Sequence, residues 1–165
     1  MTIKRIDIFS KCHTWDEAER LRAAGVYTFF RPIESTSGGA VVSHGQRRVM
    51  IGSNNYLGLT HHPRVREAAK RATDRYGTSC TGSRLLNGNL ALHEEFESEF
   101  AQFLGKEAAL VFSTGFLANL GALSCLSGRK DVIYCDRENH ASIFEGMRLS
   151  IGSSIKYRHG DLADL

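Results

Sequence analysis

The sequence predicts an α/β fold: an incomplete, mostly parallel sheet with flanking helices, preceded by an N-terminal helix and a small β-hairpin. Two passages carry that expectation. The short apolar run 108–112 is followed by Gly115 and then by apolar residues at 116, 117, 120, 123 and 126, which is the order strand, turn, helix. Val132 to Cys135, a helix from about Ala141 to Leu149, and Ser154 to Tyr157 then give a strand–helix–strand passage. Composition agrees: 165 residues, 42% hydrophobic and 24% charged, are ordinary for a globular domain and enough for one core.

Taken in order, Thr14-Trp-Asp-Glu17 has the form of a capping box, so a helix is expected from about Trp15 to Ala24, ending at Gly25. Tyr27 to Ile33 should be extended, because Pro32 disfavours helix at the residue before it. Ala40 to Ser43, a break at His44-Gly45, and Arg48 to Ile51 read as the hairpin. Pro63 suits a first helical position, and Val65, Ala68, Ala69 and Ala72 give one face of a helix ending near Tyr76-Gly77. Gly82 and Gly88 bracket an irregular loop. Leu92, Phe96, Phe100, Phe103 and Leu104 recur at helical spacing, with Glu94, Glu95, Glu97 and Glu99 expected on the wet side. No internal repeat or low-complexity linker marks a domain boundary.

Several function classes find no support. A net charge of +3, with basic residues scattered among 18 acids, gives no nucleic-acid footprint. Met1 to Ile8 carries charges among its apolar residues and offers no secretory h-region. The nearest candidate for a spanning helix, Ala108 to Leu126, is broken by Ser113, Thr114, Gly115 and Asn119. Cysteines at 12, 80, 125 and 135 have no Cys-x-x-Cys spacing, which fits reduced thiols in a cytoplasm and argues against a zinc site.

The chemistry concentrates in Ser113-Thr-Gly-Phe-Leu-Ala-Asn119 and Asp136-Arg-Glu-Asn-His-Ala-Ser-Ile143. Thr114, Gly115 and Phe116 lie where the first helical turn leaves backbone N–H groups unpaired, and these, with the helix dipole, favour an anion such as a phosphate. Gly115 would let a ligand approach closely. The plainer alternative is a strand–helix turn that uses glycine for geometry alone. His140 follows the C-terminal end of the next strand, where open parallel sheets place their ligands. A histidine there can equally serve as a helix cap. The two features are expected to face one crevice.

These stretches, together with Ser53-Asn-Asn-Tyr-Leu-Gly-Leu59, His61-His-Pro63 and Gly77-Thr-Ser-Cys-Thr-Gly-Ser-Arg-Leu-Leu-Asn-Gly-Asn89 leading to His93-Glu-Glu95, resemble the α-oxoamine synthase family of pyridoxal 5′-phosphate (PLP) enzymes. The likeness runs from about Tyr27 to Leu165. It implies the aminotransferase fold type I, with residues 1–38 as an N-terminal helix and arm and 39–165 as the first part of the PLP-binding large domain. It also implies PLP as cofactor, its phosphate held at Gly115 and Phe116 beside Thr114, and His140 stacked on its ring with a nitrogen available for proton transfer. Asn54 and Ser83 are candidates for substrate contact, Ser83 matching a position that enters the neighbouring subunit's site in family homodimers. As loop residues, both serve loop geometry equally well. Arg31 could pair with a substrate carboxylate or a CoA phosphate, or be a surface charge.

Members of the family condense an amino acid with an acyl-CoA thioester and lose CO₂. Phe29-Phe-Arg-Pro-Ile-Glu34 and Thr81-Gly-Ser-Arg-Leu-Leu-Asn-Gly88 look closest to serine palmitoyltransferase-like members, which join L-serine to a long acyl-CoA in sphingolipid synthesis. The alternative branch is 8-amino-7-oxononanoate synthase of biotin synthesis, which takes L-alanine and a pimeloyl thioester. The family's Schiff-base lysine, its pyridine-nitrogen aspartate and its carboxylate-binding arginine are expected beyond Leu165, so the 165 residues read as an N-terminal piece, inactive alone. A non-catalytic partner subunit is the alternative of another class. Lys106 and Lys130, at turn positions, are expected to be solvated. His61, His62, His93 and His159 are expected to be structural or solvent-facing.

Overall fold

The computed structural model describes residues 7–165; the expectation for residues 1–8 therefore lies, through Ile6, outside the described residues. The chain divides into two compact units, one running to Thr78 and one from Ser79 to Leu165.

The first unit begins with two short helices, α1 (Ser10–Thr14) and α2 (Glu17–Ala23). Thr14 does not cap α2. It is the last residue of α1, and its hydroxyl donates back to the Ser10 carbonyl at 3.2 Å, a local bond that competes with capping. Asp16 takes the cap position without a side-chain bond, and pairs instead with Arg20 at 3.1 Å. The expected hairpin is present, but as part of a three-stranded antiparallel sheet of β1 (Ser35–Ser37), β2 (Ala40–Ser43) and β3 (Gln46–Val49), with β2 central. Strand β1 is Ser-Thr-Ser and fully exposed, so no apolar alternation announces it. The β2–β3 turn is a two-residue loop with both His44 and Gly45 at positive φ (53° and 67°), the primed geometry that matches strand twist. β3 starts earlier than expected because Gln46 pairs with Ser43 immediately after that turn. Residues 27–33 form neither helix nor strand. Helix α3 (Pro63–Tyr76) has Pro63 in its first turn, as expected.

The second unit opens with the irregular loop expected around Gly82 and Gly88, then α4 (Ala91–Leu104). Phe96, Phe100 and Phe103 stack along one side of α4, with ring centroids 5.5 and 6.3 Å apart. Residues 108–112 are not a strand. A strand is defined by its ladder, and this stretch has no ladder partner among the described residues; its Val111 amide donates to a side chain instead. Helix α5 (Gly115–Leu126) follows. Then come β4 (Val132–Asp136), α6 (Ala141–Leu149) and β5 (Ser153–Tyr157), with β4 and β5 parallel in the register Val132↔Ser153 to Asp136↔Tyr157.

Helices α5 and α6 pack directly on each other. The contact is close because Gly146 has no side chain: a Cβ there would lie 2.8 Å from Leu123 Cδ1 and 3.1 Å from the Asn119 carbonyl oxygen. Cys135 of β4 and Ser142 and Met147 of α6 are buried. The consequence for the site is that the first turns of α5 and α6 are held as neighbours.

Candidate functional site

Thr114 is the N-cap of α5, in extended geometry, and its Oγ1 accepts from the Leu117 amide at 3.1 Å. The Thr114 carbonyl takes the Ala118 amide at 3.0 Å. That leaves the Gly115 and Phe116 amides with no acceptor among the described residues, on a turn where a Cβ at Gly115 would meet nothing within 4 Å. These are the open, outward donors that an anion at a helix N-terminus uses.

His140 is the N-cap of α6, so the cap role weighed for it from sequence is real: its Nδ1 accepts from the Ser142 amide at 3.2 Å. The ring is nevertheless exposed, and its centroid lies 6.3 Å from that of Phe116 at an interplanar angle of 73°. Thr114, Gly115, Phe116 and His140 are thus brought together at the two helix starts.

Two residues to which sequence reasoning gave no role join them. The Ser142 hydroxyl is 2.8 Å from His140 Nδ1, and Asn119 Nδ2 donates to Ser142 Oγ at 2.9 Å. Ser142 is wholly buried. Asn119, a polar residue in the mostly apolar first turns of α5, was the available signal.

Beside this site, Asp136 at the end of β4 accepts from the Glu138 amide at 2.8 Å and meets His159 Nδ1 at 2.9 Å. The Glu138 amide and then the His159 bond lower the Asp136 carboxyl below its usual range. Asp136, by its bond and its charge, and then the charge of Glu138, raise His159.

A second network supports the approach to α5. Glu97 of α4 is not on the wet side. It forms a bidentate pair with Arg84, whose Nη2 donates to Oε2 at 2.9 Å, and it accepts from the Val111 amide at 2.7 Å. Arg84 first, and the Val111 amide next, hold the Glu97 carboxyl down at about 2. Arg84 also donates to Asn89, so loop 79–89, α4 and the strand-like run before α5 are joined. His93 caps α4, its Nδ1 accepting from the Leu90 amide at 3.0 Å.

The remaining candidates make none of these hydrogen bonds. Ser83 is exposed; its carbonyl gathers the amides of Leu86, Asn87 and Gly88, a loop-forming role. It also lines a groove of about 920 Å³ with Leu85, His93, Leu110, Phe112 and Leu117. Asn54, in the first unit, is exposed and accepts from the Tyr56 hydroxyl at 3.3 Å. Arg31 is exposed, with no ion pair among the described residues.

Residues 48–165 match the family described as aminotransferase class I and II. The chain belongs to that family. Within it, the chain is 55% identical to a serine palmitoyltransferase of Bacteriovorax stolpii over 157 residues, which are 95% of this chain and 37% of that protein. It is 44% identical to an 8-amino-7-oxononanoate synthase of Geotalea daltonii (strain DSM 22248 / JCM 15807 / FRC-32), across 91% of this chain and 38% of that one. Among solved structures, a serine palmitoyltransferase from S. paucimobilis with bound PLP–myriocin aldimine superposes with a TM-score of 0.89 at 34% identity, covering 96% of this chain and 41% of that chain. This aminotransferase class I and II chain therefore spans well under half the length of the relatives it matches. No helix among the described residues is long and apolar enough to cross a membrane.

Proposed function

We propose that the chain is the N-terminal portion of a PLP-dependent acyltransferase that joins L-serine to a long acyl-CoA with loss of CO₂, a reading supported by relatives named serine palmitoyltransferase. The observation that carries this reading is the juxtaposition of the unpaired Gly115 and Phe116 amides with the exposed His140 ring, 6.3 Å from Phe116. Those groups fit the cofactor: two free N–H donors at a positive helix end suit its phosphate, open space at Gly115 admits it, and a flat imidazole suits its ring. When bound, PLP supplies an electron sink for chemistry at the amino acid's α-carbon.

The chain's own residues contribute binding and orientation. Thr114 fixes the first turn of α5 through its cap and so aims the two amides. Phe116 sets its ring edge-on to His140 and narrows the space beside it. His140 would hold the cofactor ring flat by stacking, with Nδ1 tied to Ser142 and Nε2 left for other contacts. Asn54 and Arg31 are assigned to substrate contact, and Ser83 to the site of a second copy in a homodimer. Residues 1–38 are the arm and 39–165 the first part of the cofactor domain, in a cytoplasmic protein.

A second reading, 8-amino-7-oxononanoate synthase, is favoured by relatives of that name at 44% identity. The two separate in one assay. The whole protein is supplied with L-serine or L-alanine and with palmitoyl-CoA or pimeloyl-CoA, and release of the CoA thiol is followed. Turnover is expected with serine and palmitoyl-CoA. Turnover with alanine and pimeloyl-CoA alone selects the second reading, and none with either pair overturns both.

A further inference from the structure

The hydrogen bonds behind His140 decide which of its nitrogens carries the proton. Nδ1 lies 3.2 Å from the Ser142 amide, and a backbone N–H can only donate, so Nδ1 is an acceptor. Nδ1 also lies 2.8 Å from Ser142 Oγ. That hydroxyl already accepts from Asn119 Nδ2 at 2.9 Å, which leaves its own hydrogen free to turn toward Nδ1. Ser142 has no access to water, so no solvent competes for its hydroxyl. Asn119 comes from α5 and Ser142 from α6, and the close packing at Gly146 holds those helices together.

We propose that Asn119 and Ser142 are positioning residues that hold the neutral His140 ring with its proton on Nε2, through the relay Asn119 Nδ2–H to Ser142 Oγ–H to His140 Nδ1. The outer nitrogen of the ring is then a hydrogen-bond donor toward whatever lies on it. In that state it has no lone pair with which to act as a base. The functional weight of this rests on the cofactor reading of His140, but the tautomer itself does not depend on any cofactor.

The test uses the uniformly ¹⁵N-labelled whole protein before PLP is added, above neutral pH, with two-bond ¹H–¹⁵N correlation of the His140 ring. Nδ1 is expected at the shift of an unprotonated imidazole nitrogen and Nε2 at that of an N–H. Ser142→Ala keeps the backbone donor and removes the hydroxyl, and should lower the Nε2–H to Nδ1–H ratio about fivefold, the size of one net hydrogen bond. Asn119→Asp, nearly equal in volume, offers the hydroxyl an acceptor in place of a donor and should shift the ring toward Nδ1–H. A wild-type ring that carries its proton mainly on Nδ1 overturns the proposal, as does an unchanged ratio in folded Asn119→Asp. Failure of the whole protein to bind PLP would count against the cofactor reading and leave this result standing.

Discussion

At Gly115 the absence of a side chain is not needed for packing, since a Cβ would meet open space. Gly115→Ala should therefore leave the thermal midpoint of the chain unchanged or raise stability by up to about 1 kcal/mol through helix propensity, while weakening PLP binding by the whole protein in a fluorescence titration. A fall in stability would mean that the glycine serves the fold instead. The pair Asp136–His159 makes a prediction of opposite kind. His159 is raised above its unfolded value, so its contribution is complete below about pH 6.5 and fades as pH climbs through the folded value. Asp136 is lowered, so its share is present above the unfolded aspartate value and is lost on strong acidification. His159→Gln should accordingly reduce stability more at pH 6 than at pH 9, read from urea midpoints at the two values. Equal losses would sink the assignment.

At the scale of elements, α5 and α6 are fixed by the absent side chain at Gly146. Gly146→Ala would press on Leu123 Cβ at 3.0 Å and on the Asn119 carbonyl at 3.1 Å, atoms that cannot swing away as the Leu123 methyl can. Overpacking of this kind costs about 1–3 kcal/mol, more than the roughly 1 kcal/mol of helix propensity gained, so a net loss is expected in chemical denaturation. The loop before α4 and the run before α5 are joined in another way, through Glu97. Its carboxyl is depressed to about 2, so the stabilisation it gives is full above the ordinary glutamate range and disappears as pH falls from there toward about 2. Glu97→Gln should lower the melting temperature at neutral pH and flatten its dependence on pH in that acid window. An unaltered acid profile would show that the Arg84 pair does not couple to folding.

For the whole chain, the surface is the dominant fact. Phe30, Ile51, Leu85 and Leu162 are each more than 85% exposed, and Tyr56, Leu57 and Leu86 are nearly so. Apolar area of this kind drives association. Sedimentation velocity should find self-association that grows with concentration, accompanied by binding of a hydrophobic dye. A monomer across that range with no dye binding would contradict the expectation.

Local pattern reached far into the second unit. The bounds of α6 and the spacing of apolar residues in α5 were legible because amphipathic periodicity, a cap and a glycine all lie within a few residues of one another. The polar strand β1 carried no such signal, and the run 108–112 had the composition of a strand with no ladder among the described residues to make it one. Glu97 shows why a helical wheel misassigns charge: its neighbours in sequence are solvated, but Arg84, thirteen residues earlier, draws it inward.

By itself, then, the amino-acid sequence determined the α/β class, the helix that begins at Gly115 and the histidine that begins the next one, since each is written in contiguous residues. Tertiary structure alone decided that Phe116 meets His140 edge-on, that Asn119 reaches Ser142 across two helices, and that Glu97 is paired. Those contacts depend on how closely separate elements approach, and that distance is set by packing, here by the missing side chain of Gly146.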